Sequence, residues 1–196
     1  MSISDEIVAV TVGDVCGHGE VAASTMELVR ATILRALEDT HVPSAVLAIA
    51  NPVAASLGSG EGVIVTAVVA FLNHRLQTLT FANAGHPPPL LMTHDRCAFL
   101  TQRPADLPLG IFPYHHAADY VVAVPFDALA VFYTDGITEH GYDAVHGEIE
   151  LAEAARSVFN QLELDHAQAI AQHVLRAERG HDDAAVLALR SVPTQR

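Results

Sequence analysis

The pattern that most constrains the fold is a run of short apolar segments in the middle of the chain, joined by tight turns and flanked by helical segments. Val63–Leu72 and Leu76–Asn83, for example, enclose a short polar turn typical of a β-hairpin. Strands joined by such short turns pair antiparallel. Helices segregated from a strand run are typical of layered α+β domains, whereas doubly wound domains alternate strands and helices. The sequence therefore predicts an α+β fold built on antiparallel sheets.

The remaining elements follow from hydrophobic periodicity. Met26, Val29, Ile33 and Leu37 recur at helical spacing, and Pro52 predicts a kink or break in the second helix. We expect residues 1–190 to form a single domain, followed by a tail at 191–196. The other predicted strands are Ile7–Val12, Pro89–Met92, Cys97–Leu100, Tyr120–Val124, Ala128–Tyr133 and Ala184–Leu189, and the predicted helices are Val21–Asp39, Ser44–Leu57, Glu148–Phe159 and Asp165–Arg179.

Composition excludes several classes of function. The chain has 196 residues, of which 51% are hydrophobic and 17% charged, as expected of a globular protein. Its net charge is −13 with ten Lys and Arg, so neither nucleic acid nor an anionic membrane is an expected partner. We find no signal peptide and no apolar stretch of about 18 residues. Cys16 and Cys97 are too few for a disulfide framework, which favours the cytoplasm.

Three acidic segments suggest a metal site. Asp14 ends an apolar strand and precedes a glycine-rich bend, Asp135 follows an apolar strand and precedes Gly136, and Asp182 and Asp183 precede the last strand. Carboxylates at strand ends beside glycine turns bring hard oxygen ligands together around divalent cations. The bend after Asp14 also lets the Val15 carbonyl face a metal. Taken singly, Asp14 and the pair Asp182-Asp183 are better explained as ordinary surface turns, whereas the segment after Asp135 does not continue as the return strand of a hairpin.

Histidine is abundant but does not indicate a zinc site. The twelve histidines show no His-Glu-x-x-His spacing, and no paired Cys-x-x-Cys accompanies them. His86 lies in the segment Ala82–Pro89, which ends in three prolines that hold an extended path. We interpret His86 as a residue that holds this loop by hydrogen bonds, with catalysis as the alternative.

Five segments, in this order along the chain, together resemble one family. They are Gly13–Gly19, Phe81–Leu90, Leu107–Ile111, Tyr133–Glu139 and the pair Asp182-Asp183. The chain is similar to the SpoIIE-like branch of the PPM superfamily, the metal-dependent serine/threonine protein phosphatases of type 2C. The resemblance implies a four-layer α-β-β-α sandwich of two antiparallel sheets flanked by helices.

The resemblance also implies a site with two Mn²⁺ or Mg²⁺ ions. The bridging aspartate of the family corresponds to Asp14, and the backbone carbonyl that follows it corresponds to Val15. Asp135 and Asp182 correspond to the ligands of the second metal. His18 is a candidate general acid for the leaving serine oxygen, because imidazole titrates near neutral pH.

One departure from the family leaves two functions open. The family has an earlier strand with Gly-Gly-Asp that supplies a further acidic group, and no such segment precedes Asp14. We therefore expect an N-terminally truncated domain or a weakened enzyme. The first hypothesis is a phosphoserine/phosphothreonine protein phosphatase, whose implied substrate is a phosphorylated anti-sigma-factor antagonist in stress or sporulation signalling. The alternative is a catalytically weak or inactive phosphatase fold that binds a partner.

Overall fold

The computed structural model describes residues 1–17, 19–57, 64–112, 114, 116–139, 143–161, 165–175 and 183–192. The described residues form two four-stranded antiparallel sheets and flanking helices, which confirms the predicted α+β class. The strands are β1 (Ile7–Val15), β2 (Val65–Asn73), β3 (Thr78–Ala84), β4 (Leu90–Met92), β5 (Cys97–Phe99), β6 (Tyr120–Ala123), β7 (Leu129–Tyr133) and β8 (Val186–Arg190), and the helices are α1 (Glu20–Asp39), α2 (Pro43–Leu57), α3 (Ala144–Val158) and α4 (His166–Val174).

The chain divides into two compact units. Unit 1 contains Met1–His86 and Gln102–Ala123, and unit 2 contains Pro87–Thr101 and Val124–Arg196. Each unit holds one sheet. The strand order is β1-β2-β3-β6 in unit 1 and β5-β4-β7-β8 in unit 2.

In unit 1, helices α1 and α2 pack on one face of the sheet. Ala67, Val69 and Phe71 alternate along β2, so their side chains share that face and join the apolar core. Val29 of α1 and Leu47 of α2 are buried in the same core. Alternate side chains of β2 and the apolar faces of the two helices therefore pack together in one layer.

Helix α2 does not break at Pro52, contrary to the sequence-based expectation. The helix continues from Pro43 to Leu57 with Pro52 inside it. A proline in a helix interior removes one hydrogen bond and crowds the preceding turn. Ala50 and Ala54 are fully buried on either side of it, and this packing offsets the local cost.

In unit 2, helices α3 and α4 cover one face of the second sheet. Leu129, Val131 and Tyr133 alternate along β7 and share a core with Leu151 of α3 and Ile170 of α4. All five side chains are almost completely buried. This packing of alternate side chains fixes the orientation of β7. The Asp135 segment follows directly after this strand.

Both helices of unit 2 begin at an aspartate cap. Asp143 accepts hydrogen bonds from the backbone N–H groups of Val145 and His146, and this cap starts α3 four residues before the predicted Glu148. Asp165 accepts from the backbone N–H of Gln168 at the start of α4.

Two further features bear on the predicted ends of the chain and on membranes. Ser191, assigned to the tail by sequence, is buried and donates its backbone N–H to Ala128. In the described residues, no helix has both the length and the apolar character needed to cross a bilayer.

Candidate functional site

Asp14 lies inside strand β1 and not beyond its end. The predicted strand stops at Val12, but the structure extends it to Val15, with Asp14 opposite Thr66 and Val15 opposite Val65 on β2. Val15 is buried in the core beneath α1 and α2, so Asp14 faces the other side of the sheet. Directly opposed residues place their side chains on the same face. Asp14 and Thr66 therefore lie side by side, on the face of the sheet opposite the helices.

The Val15 carbonyl is directed away from β2. Both backbone groups of Val65 bond to Leu109, with Val65 N–H donating at 3.3 Å and Leu109 N–H donating at 2.8 Å. Hydrogen-bonded and non-bonded pairs alternate in an antiparallel ladder. The Cys16 N–H donates to the Ile64 carbonyl at 2.9 Å, as this alternation requires. The carbonyl of Val15 therefore points to the outer edge of β1, as a backbone ligand to a metal requires.

His86 ties the loop after β3 to the strand opposite Asp14. Its Nδ1 lies 2.9 Å from the Thr66 hydroxyl. Its backbone N–H donates to Asn83 Oδ1 at 2.7 Å, and its carbonyl accepts from Asn83 Nδ2 at 2.8 Å. The imidazole is 5% exposed. These bonds support the interpretation that His86 holds the loop.

The third motif segment packs against the same loop. Gly85 has a φ of 67°, and a Cβ added there would lie 2.5 Å from Pro108 Cγ. Gly110, with a φ of 90°, donates its N–H to the side chain of Asn51 on α2 at 2.9 Å. Together with the Leu109 pairing to β2, these contacts bring the segments around Asp14, His86 and Pro108 to one end of the unit 1 sheet.

Asp135 begins a turn of 3₁₀-helix in unit 2. The turn spans Asp135–Ile137 directly after β7 and replaces the alternative of a plain hairpin turn. The backbone carbonyl of Asp135 accepts from the N–H groups of Thr138 and Glu139, both at 2.7 Å. Gly147 of α3 packs against this turn, because a Cβ there would lie 1.9 Å from the Thr138 carbonyl oxygen.

Thr134 joins the Asp135 segment to the acidic pair. Its hydroxyl donates to the Asp183 carbonyl at 3.0 Å and accepts from the Ala185 N–H at 2.9 Å. The Thr134 N–H also donates to the Ala185 carbonyl at 3.1 Å. The chain just after Asp182 is therefore held beside Asp135.

The carboxylate of Asp135 carries an unusual buried atom. Its Oδ1 is buried and has no hydrogen-bond partner in the part of the chain that the structure describes. An ionised oxygen that has lost water and gained no donor is costly unless a cation compensates it.

Two titratable groups near Asp135 have raised pKa values. Burial raises the pKa of Tyr133, two residues before Asp135, and the Glu148 carboxylate raises it further, and this phenol is neutral at pH 7. Burial also raises the pKa of Glu148.

The predicted site residues, four metal ligands and the general acid His18, fall into three groups. Asp14 and Val15 belong to unit 1 and Asp135 to unit 2, whereas His18 and Asp182 lie outside the described residues. Over the described ranges, no group of three or more His, Cys, Asp and Glu side chains is arranged to hold a metal. The structure thus shows how the segments around Asp14 and Asp135 are held, each within its own unit.

Sequence reasoning missed the residues that position these segments. Thr66 lies in an apolar strand and gives no signal until its partner His86 is known. The Thr134 hydroxyl and Gly147 act through contacts distant in sequence, to Ala185 and Thr138 respectively. The only local sequence signal for the role of Gly147 is that so small a residue occurs within the amphipathic pattern of α3.

Comparison with known proteins gives a family that spans most of the chain. The family model of stage II sporulation protein E (SpoIIE) matches residues 4–192. The RsbU and RsbW domains of Rv1364c from Mycobacterium tuberculosis are 27% identical, with a TM-score of 0.83 over 97% of this chain and 53% of that one.

Two more distant structures share the fold. One contains the PP2C phosphatase domain and a fragment of the regulatory domain of SpoIIE from Bacillus subtilis, with 16% identity and a TM-score of 0.80 over 97% of this chain and 56% of that one. The other is RsbX in complex with magnesium, with 12% identity and a TM-score of 0.70 over 96% of this chain and 82% of that one. This chain spans about half the length of the first two matched chains. It belongs to the SpoIIE family and has the fold of PP2C phosphatase domains.

Proposed function

We propose that this protein is a metal-dependent phosphatase that hydrolyses phosphoserine or phosphothreonine in a protein substrate. The observation that carries the proposal is the buried Oδ1 of Asp135, which has no hydrogen-bond partner in the described part of the chain. Family membership and the PP2C fold support the same activity.

The donor set fits hard divalent cations. Asp14, the Val15 carbonyl, Asp135 and Asp182 would supply oxygen ligands only, which is the chemistry that Mg²⁺ and Mn²⁺ prefer. RsbX, a relative in fold, was crystallised with magnesium. Two such ions would supply Lewis-acid stabilisation of the phosphoryl oxygens and would lower the pKa of a water molecule.

Within each unit, the chain's own residues would hold the segment that carries the proposed ligands. The bond between Thr66 and His86 holds the loop after β3 against the strand opposite Asp14. The hydroxyl of Thr134 holds the backbone at Asp183 beside the Asp135 turn. Rigid placement of these carboxylates reduces the reorganisation needed when a phosphate group arrives. Because the protein has a net charge of −13, an anionic substrate requires local compensation by cations.

The direct test replaces Asp135 by Asn, which keeps the shape and removes the charge. We expect Mn²⁺-dependent hydrolysis of a phosphoserine protein to fall by at least about a hundredfold, because the metal contribution is worth several kcal/mol. Asp5→Asn is the matched control, since Asp5 is an exposed carboxylate in unit 1. The stabilisation of the folded protein by Mn²⁺, measured by thermal unfolding, should disappear in the same Asp135 variant.

Turnover that is unchanged in Asp135→Asn would contradict the assignment. Wild-type protein that binds a phosphoprotein partner but shows no metal-dependent hydrolysis would favour the alternative of a non-catalytic binding module. Asp14→Asn extends the test to unit 1, where we expect the same loss of hydrolysis.

His18 is proposed as the general acid, and leaving-group dependence tests this role separately. Serine is a poor leaving group that needs a proton, whereas p-nitrophenolate leaves without one. We expect His18→Gln to lower kcat for phosphoserine by about 10²-fold or more and to leave p-nitrophenyl phosphate hydrolysis nearly unchanged. Equal losses on both substrates would exclude the role of proton donor.

The proposed protein substrate is a phosphorylated anti-sigma-factor antagonist. The proposed role lies in stress or sporulation signalling, and the similarity to a chain that combines RsbU and RsbW domains supports it. Comparing kcat/KM for such a phosphoprotein with kcat/KM for a phosphopeptide of the same local sequence tests the assignment. We expect the folded antagonist to be preferred, and equal values would contradict recognition of the whole partner.

A further inference from the structure

Unit 2 contains a cavity of about 300 Å³ between the turn joining β4 to β5 and the C-terminal end of α3. Residues 92–97 line it on one side, and Arg156 and Phe159 line it on the other. His94 contacts the ring of Phe159 edge-on, with 5.2 Å between ring centroids. The cavity therefore combines an aromatic wall with cationic side chains.

Among the described residues, the two arginines of this cavity, Arg96 and Arg156, have no carboxylate partner. Elsewhere, Arg30 pairs with Glu27 and Arg35 pairs with Glu38. In the part of the chain that the structure describes, neither Arg96 nor Arg156 forms an ion pair with an acidic side chain, although Asp95 also lines the cavity. The whole chain has ten Lys and Arg against 23 acidic residues, and two of its guanidinium groups, both exposed, line this one cavity.

The cavity lies at the opposite end of the sheet from Asp135. Met92, which lines the cavity, is opposite Leu129 at the start of β7. Tyr133 ends the same strand, about 13 Å further along at 3.3 Å per residue, and Asp135 follows it. A ligand in this cavity would be separate from one at the proposed metal ligands of unit 2.

We infer that this cavity binds a small phosphorylated ligand. Guanidinium groups bind phosphate oxygens in a bidentate manner, and two of them beside the single carboxylate of Asp95 leave a net positive charge that favours an anion. His94 is exposed, and its ring, held edge-on against Phe159, gives the ligand's organic part an aromatic contact. The volume of the cavity is at the small end of pockets for organic ligands. A folded protein partner covers an extended surface, which a cavity of this size does not provide. This inference is independent of the proposed phosphatase activity.

Binding is tested with phenylphosphonate and with inorganic phosphate, using calorimetry and thermal unfolding in excess EDTA at constant ionic strength. EDTA removes divalent ions, so anions do not bind through a metal. We expect both probes to stabilise the wild-type protein, and phenylphosphonate to bind more tightly. Arg96→Gln and Arg156→Gln should each weaken binding by about tenfold or more, which is the usual effect of losing hydrogen bonds to a charged group.

Two variants serve as controls. Arg75→Gln removes an exposed arginine of unit 1 that pairs with Glu6, and it should leave binding unchanged. Asp135→Asn should also leave binding unchanged. The Arg96 variant should keep the turn folded, because the Thr93 and Arg96 bonds that close it use the Arg96 backbone and not its side chain.

Three results would overturn the inference. These are no binding of either probe by the wild-type protein, binding that survives both arginine variants, and binding that is lost in Asp135→Asn. A phosphopeptide that binds through Arg96 while both small probes fail would also reject a small ligand, in favour of a protein segment.

Discussion

The Thr66 hydroxyl lies 2.9 Å from Nδ1 of His86 and joins strand β2 to the loop that follows β3. Thr66 is directly opposite Asp14 in the β1–β2 register. The bond therefore links the second motif segment of the chain to the strand pair that carries the first.

Thr66→Val removes this bond and keeps the side-chain shape. We expect the free energy of unfolding to fall by about 1–2 kcal/mol, because the buried imidazole nitrogen loses its partner. Thr66→Ser restores the hydroxyl and should recover most of the loss. Urea denaturation of the three proteins measures the difference, and a valine variant as stable as wild type would show that the bond contributes nothing.

Gly85→Ala should be more destabilising than Gly17→Ala. Both glycines have positive φ values, 67° and 119°, so an alanine is strained at either position. Only at Gly85 does the added Cβ also meet Pro108, whereas at Gly17 no atom of the described residues lies within 4 Å of it. We expect the Gly85 variant to lose about 1–3 kcal/mol more, the usual cost of overpacking. Equal losses would mean that the loop moves away from Pro108 without cost.

Thr134→Val should loosen the connection between the Asp135 turn and the start of β8. The variant removes the acceptor for the Ala185 N–H and the donor to the Asp183 carbonyl. We expect a loss of about 1–3 kcal/mol in the free energy of unfolding and faster amide hydrogen exchange at Ala185. Thr134→Ser should behave like wild type. Unchanged exchange at Ala185 in the valine variant would contradict this role for the hydroxyl.

His166 should make the protein less stable in weak acid. Burial lowers the pKa of His166 below 6.5, and the Arg190 guanidinium nearby lowers it further. The folded state therefore favours the neutral ring, and the unfolded chain binds the additional proton as the pH falls below about 6.5. The stabilising contribution is complete above that pH and is lost progressively below it.

His166→Gln tests this dependence. The decrease in the free energy of unfolding between pH 7.5 and pH 5.5 should be smaller in the variant than in wild type, as measured by urea denaturation. Identical decreases would show that His166 does not contribute to the acid sensitivity.

The sequence alone was sufficient for the fold class and for the family. The continuous apolar run Leu129–Tyr133 and the helical spacing of Val29, Ile33 and Leu37 reflect local burial, which the sequence displays directly. The five motif segments likewise predicted the SpoIIE family, whose model matches residues 4–192. Element boundaries were less reliable, because Asp143 and its cap set the start of α3 and because pairing with Thr66 and Val65 extends β1.

Only the tertiary structure identified the partners of the motif residues. The Thr66–His86 bond joins residues 20 positions apart, and the Thr134–Ala185 bond joins residues 51 positions apart. The local sequence around a hydroxyl group in an apolar strand does not identify its hydrogen-bond partner, because strand register and the path of the loops determine which residues meet. The same holds for Arg96 and Arg156, which share a cavity because the β4–β5 turn packs near the end of α3. Residue type and local pattern thus determined the elements and the candidate ligands, whereas contacts between distant segments decided how those ligands are held.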